Sequence, residues 1–112
     1  MTIHRRAESV AVQAAPGITR RTLVHGPRML TCEFTLEQGY DLPIHTHPHE
    51  QTGYVVSGRI RLQIDGKSYE LEAGDSYYAE ANVPHGATVL ETAVVVDTFT
   101  PVREDYLGEG KA

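Results

Sequence analysis

Tryptophan is absent from the 112 residues, and cysteine occurs once, as Cys32. A lone cysteine cannot close a disulfide within the chain, so packing rather than covalent stapling must hold the fold. No apolar run approaches the roughly 20 residues that a membrane-spanning helix needs. The opening stretch, MTIHRRAESVAVQAAPG, carries no apolar segment of the secretory type. With the single thiol, this leads us to expect a cytoplasmic protein that does not engage a membrane. Basic clusters are missing as well. Arg5 with Arg6 and Arg20 with Arg21 are the only adjacent basic pairs, and 10 Lys and Arg against 15 Asp and Glu leave a net charge of −5. A nucleic-acid binder normally shows a basic face, so that partner is not expected.

Also scarce is uninterrupted sequence in which a helix of normal length could grow. The 10 glycines and 6 prolines recur along the whole chain. A chain of this length has room for one hydrophobic core and buries roughly two-thirds of its unfolded surface. What is present is strand pattern. Residues 59–65 (RIRLQID) alternate Ile60, Leu62 and Ile64 with polar neighbours, the period of a half-buried strand. Asp65 and Gly66 form a strong two-residue hairpin signal, after which residues 67–71 return antiparallel. A turn at residues 73–75 leads to a short strand over residues 76–79, with Tyr77 and Tyr78 on opposite faces. Upstream, Leu30, Cys32, Phe34 and Leu36 make another alternating stripe, in which Cys32 reads as a small buried hydrophobe.

Residues 51–57 read as a strand ending at Gly58. Residues 85–90 read as a further strand, and residues 22–25 as an early one. The β-branched run of residues 93–99 predicts a strand buried on both sides. Residues 104–108 have room for one helical turn. So many short strands at regular spacing predict an all-β sandwich or barrel. Residues 9–15 (SVAVQAA) alternate too, and this arm is expected to pair with the sheet of a second copy, giving a homodimer.

Four of the six histidines are His45, His47, His49 and His85. On a strand His45 and His47 point the same way and form a ready chelating pair. Imidazole is the commonest metal ligand among side chains that titrate near neutrality. Gln51 has the same parity, but Pro48 bends the chain between them, so periodicity alone does not decide whether Gln51 joins. His49 reads either as a support for the ligands or as a solvent-facing residue.

The pattern Gly39, His45, His47, Gln51 and Gly58 has the spacing of the first cupin motif, G-x5-H-x-H-x3-E-x6-G, with Gln51 standing where most cupins carry Glu. Gly74 and His85 stand at the separation of the second motif, with Glu80, Asn82 and Val89 replacing its usual Pro, Gly and Asn. The chain thus resembles the cupins, small all-β proteins with a jelly-roll barrel (a double-stranded β-helix, also called RmlC-like). That resemblance implies an arm with the first strand or strands over residues 1–25 and a cupin barrel over residues 26–108. It also implies one divalent transition metal ion per chain on His45, His47, Gln51 and His85. Zn, Ni, Fe, Mn, Co and Cu all suit such ligands.

Three stretches, HTHPHEQTGYVVSG, NVPHG and VVVDTFTPVREDYL, further resemble the single-domain cupins of the KdgF-like pectin-degradation group. That group uses Gln in place of the Glu ligand. The likeness implies ring opening of 4,5-unsaturated uronates, with a sugar acid as the small-molecule substrate. It implies Asp97, Phe99 and Arg103 as the functional residues beside the metal, whereas the sequence around Arg103 offers the alternative of a surface ion pair with Glu104 or Asp105. Asp97 interrupts an apolar run, a costly place for a charge unless it is paired or used. Two other classes stay open at this point: a metal-dependent dioxygenase-type oxidative cupin, and a non-catalytic sugar- or effector-binding cupin.

Overall fold

The computed structural model describes residues 1–107, which form eight β-strands and two single 3-10 turns. The strands are β1 (Ala11–Ala15), β2 (Ile18–His25), β3 (Leu30–Leu36), β4 (Asp41–His45), β5 (Glu50–Ile64), β6 (Lys67–Glu72), β7 (Ser76–Ala79) and β8 (His85–Thr100). All pairings are antiparallel. The order β1-β2-β3-β8-β5-β6 is completed by β4 on β8 and β7 on β5. The architecture is all-β, a jelly-roll barrel.

Two long strands organise it. The C-terminal half of β8 pairs with β3 and with the start of β5, where β7 also joins. The N-terminal half of β8 pairs with β4 and with the end of β5, where β6 joins. Residues 51–57 and 59–65, expected as two strands, are therefore one strand, Glu50–Ile64, that runs through Gly58. Register shifts cluster between Val55 and Ile60, and Gly58 sits at φ 81° against the backbone of Thr92 and Ala93. A bulge with a positive-φ glycine bends a strand without ending it, and here it carries the chain from one face of the barrel to the other. Residues 85–90 and 93–99 are likewise parts of a single strand.

The stripe in β3 falls as its alternation requires, with Leu30, Cys32, Phe34 and Leu36 buried and the residues between them half-buried. They meet Ile18, Val55, Ile60, Leu62, Val89, Val95 and Phe99 in one core. The run in β8 differs from the expected strand buried on both sides. Ala93, Val95, Asp97 and Phe99 are buried while Val94, Val96 and Thr98 are only half-covered, because nothing among the described residues packs a further layer outside. The hairpin at Asp65 and Gly66 has positive φ at both residues (50° and 78°), as a type I′ turn demands.

The N-terminal arm departs from expectation. β1 pairs with β2 of its own chain, with Ala11 opposite Arg21 and Gln13 opposite Thr19, so the alternation that suggested a strand in another copy is satisfied within the molecule. The preceding 3-10 turn, Arg6–Glu8, is tied down by Arg6 donating to Glu33 at 2.8 Å. The turn expected over residues 104–108 is a 3-10 turn at Glu104–Tyr106, and Gly108 lies outside the described residues. No helix is long and apolar enough to cross a membrane.

Cys32 is fully buried, and burial pushes its thiol up to about 11. The thiolate is the reactive form, so the raised value and the burial together suppress reaction near neutrality. Titration of the native protein with a disulfide reagent at pH 8 should find no reactive thiol, and one per chain after denaturation. Fast labelling of the native protein would contradict the burial.

Candidate metal centre

Three imidazoles converge at one end of the barrel. His45 ends β4, His85 begins β8 directly opposite it, and His47 lies in the turn between β4 and β5. Their ligating nitrogens lie within 4.8 Å of one another. The ring centroids of His45 and His85 are 4.4 Å apart, and those of His47 and His85 are 4.8 Å apart. Asn82, at φ 65°, adopts the left-handed turn for which the sequence offered it in place of glycine, and its amide donates to the carbonyl of His47.

Each ring is held through Nδ1 by a backbone carbonyl. His45 Nδ1 lies 2.9 Å from the oxygen of Pro43, His47 Nδ1 2.9 Å from that of His49, and His85 Nδ1 2.8 Å from that of Val83. A carbonyl only accepts, so each Nδ1 carries the proton and each Nε2 is left with its lone pair. His85 Nε2 is buried and has no hydrogen-bond partner among the described residues. Burial drives the His47 ring down to about 4 and lowers His85 as well, with the Arg103 charge acting in the same direction on both, so neither ring is cationic near neutrality. Imidazoles of fixed tautomer that turn their Nε2 lone pairs toward one point are the donor set a divalent transition metal requires. The residues present fit such an ion.

Gln51 completes this end of the cavity from the first turn of β5. It is buried, and its Oε1 lies 3.0 Å from His47 Nε2. With the proton of His47 on Nδ1, both of those atoms are acceptors. Glu50, one residue earlier on the strand and so of opposite parity to Gln51, points outward and accepts from the Tyr78 hydroxyl. His49 contributes its backbone carbonyl to His47, while its own ring stays outside the three-histidine group.

The remaining residues singled out in the sequence line the same cavity. Its wall is largely apolar, with Leu36, Leu42, Ile60 and Leu62 among its residues. Asp97 faces it from β8, fully enclosed, and burial pushes its carboxyl up to about 7 against the opposing pull of its hydrogen bonds with Tyr77 and Gln51. Phe99 lies on the same face, with its ring 5.7 Å from that of His47 and edge-on to it. The Arg103 guanidinium sits 5.1 Å from the Phe99 centroid and 4.1 Å from that of Tyr106, and it pairs with Asp105 at 3.0 Å. The ion pair expected as a surface alternative therefore exists, yet the same side chain also lines the cavity. Arg59 and Arg61 stand outside the site, paired with Glu70 and Glu91.

Two residues of this cavity were not assigned from sequence. Tyr77, rather than Tyr78, turns inward, and Tyr106 from the last 3-10 turn covers the core with Arg20 stacked 3.9 Å from its centroid. Phe99 is 2% exposed, so its truncation also removes core packing. Phe99→Ala is expected to cost about 3–5 kcal/mol in a denaturant unfolding experiment. A loss below about 1 kcal/mol would show that the ring packs loosely.

The cupin-domain model matches residues 32–99. The chain belongs to the cupin family. It is 37% identical over 81 residues to the pectin degradation protein KdgF of Dickeya dadantii, covering 70% of this chain and 73% of that one. The solved structure of KdgF from a Halomonas species superposes on this cupin with a TM-score of 0.90 at 31% identity, over 96% of this chain and 99% of the other. An RmlC-like cupin from Shewanella frigidimarina superposes equally well, with a TM-score of 0.90 at 28% identity over 96% of both chains.

Proposed function

We propose that this cupin is a metal-dependent isomerase that opens the ring of 4,5-unsaturated uronates, the sugar acids released from pectin or alginate by elimination. The observation that carries the reading is a convergence of three imidazoles at a cavity that the Asp97 carboxyl and the Arg103 guanidinium also line, in a chain similar to a pectin degradation protein. One divalent ion per chain would be held by His45, His47, Gln51 and His85. With four neutral donors such an ion would keep its full charge and would supply Lewis acidity toward a substrate oxygen.

The reaction neither gains nor loses atoms. The bond between the anomeric carbon and the ring oxygen breaks, and the anomeric hydroxyl gives up its proton to leave an aldehyde. The enol formed at the other end takes a proton on the former alkene carbon and becomes a ketone. Arg103, set over Phe99 and Tyr106, offers the planar donor pair that matches a carboxylate. Asp97 stands in the apolar wall as the acid or base that moves the proton. The apolar side chains around it exclude water from competing for that proton.

Running the reaction in deuterium oxide with unsaturated galacturonate tests the reading. Nuclear magnetic resonance should find the linear keto sugar acid with deuterium at the former alkene carbon. Recovery of unchanged cyclic substrate under every metal tried would refute it. We further propose that two chains associate. The outward edge of β1 carries no strand among the described residues, and an open edge is a ready template for a second copy. Light scattering at tens of micromolar should report a dimer, and a monomer would remove that proposal.

A further inference from the structure

We infer that Tyr77 is a positioning residue which decides which end of the Gln51 side-chain amide faces the three imidazoles, and so makes Gln51 a metal ligand. The inference rests on the metal-binding reading above and concerns a residue that the metal itself does not touch.

A glutamine amide presents an acceptor at one end and two donors at the other, and the two ends have nearly the same shape. Only the oxygen can ligate a cation. Nothing in the apolar wall would select it, so the choice must come from whatever the opposite end meets. Here that partner is the Tyr77 hydroxyl, which accepts from Gln51 Nε2 at 2.9 Å, the Asp97 carboxylate drawing the amide in the same sense from behind it. The same hydroxyl donates to Asp97 Oδ1 at 2.7 Å. A hydroxyl has one proton, and once that proton is given to the carboxylate the oxygen can only accept. The Gln51 NH2 is therefore drawn toward Tyr77, and Oε1 is turned to the point that His47 Nε2 also addresses.

The backbone is shaped to allow this chain of three side chains. Gly53 stands opposite Tyr77 on β7 and opposite Asp97 on β8. A Cβ built on Gly53 would collide with the Tyr77 ring and with the Asp97 carboxylate. Only glycine at that position lets the tyrosine lie across the strand and reach both partners. Tyr77 is half-buried, and its hydroxyl is committed to Gln51 on one side and to Asp97 on the other.

The test is cobalt(II) affinity of the full chain, measured by competition with a chromophoric chelator, in wild type, Tyr77→Phe, Gln51→Glu and the double variant. Residues that orient a ligand typically contribute about 10–100-fold in metal affinity, and Tyr77→Phe should weaken cobalt binding by that factor. A carboxylate has no wrong end, so the same change in the Gln51→Glu background should leave the affinity nearly unaltered. Equal losses in both backgrounds, or no loss in either, would overturn the inference. Should Tyr77→Phe fail to fold, the wild-type chain answers by nuclear magnetic resonance. Cross-relaxation from the Gln51 Nε2 protons to the Tyr77 ring is expected, and cross-relaxation to the ring protons of His47 or His85 in its place would overturn it. Wild-type protein that takes up no cobalt would instead defeat the metal reading, while the resonance experiment still reports the amide orientation.

Discussion

Asp97→Asn is expected to keep both metal content and fold while lowering turnover of an unsaturated uronate by about 10²-fold or more, the scale of a lost general acid or base. The side chain is enclosed in the barrel, and asparagine keeps an oxygen that can still accept from the Tyr77 hydroxyl. What it cannot do is exchange a proton. Unimpaired turnover would leave Asp97 a structural residue, and loss of folded protein would mean that its carboxylate is needed to satisfy buried donors. Linkage supplies a control. Burial raises the carboxyl to about 7 in the folded chain, above its value when unfolded. The folded state then binds more protons between those two values, so this group's contribution to stability falls as pH rises through that window. Asparagine does not titrate. Metal-free Asp97→Asn should therefore gain stability relative to metal-free wild type as pH is raised toward 7 and slightly beyond. Arg103→Ala, measured alongside, should raise KM with little change in kcat, the signature of lost substrate holding rather than lost proton transfer.

His47→Ala should abolish stoichiometric metal binding. Its ring is buried beside Gln51, and it packs edge-on against Phe99 and beside His85. Removing it leaves two imidazoles and a neutral amide oxygen, a weaker set from which one imidazole of fixed tautomer has been lost. Elemental analysis after dialysis should find no retained ion in the variant. Unchanged metal affinity would show that the ligand set is wrong.

Much of this was legible in the sequence because two simple signals agree. Alternation placed Leu30, Cys32, Phe34 and Leu36 on one face, and positive-φ turn residues closed the hairpin at Asp65 and Gly66. The spacing of His45, His47 and His85 anticipated a cluster because β4 and β8 bring the first and last into register as direct partners. The rest depended on information that strand periodicity does not hold. β7 is four residues long with tyrosine on both faces, and only its pairing of Tyr77 with Gly53 and Tyr78 with Thr52 decides which one turns inward. Gly58 looked like the end of a strand because glycine marks both ends and bulges. The arm's alternation is satisfied equally by its own sheet or by another copy's, and β1 found β2. Arg103 carried both of its readings at once, since a guanidinium is large enough to pair with Asp105 and still face the cavity.

The three-imidazole centre, when loaded with metal, is expected to destroy the conjugated double bond of an unsaturated uronate. Ultraviolet absorbance of that conjugated system tests it most directly. Protein stripped with a chelator should leave the absorbance unchanged, and reloading one divalent ion per chain should restore its decay in proportion to the metal bound. Equal decay with stripped and loaded protein, or no decay with fully loaded protein, would contradict the account.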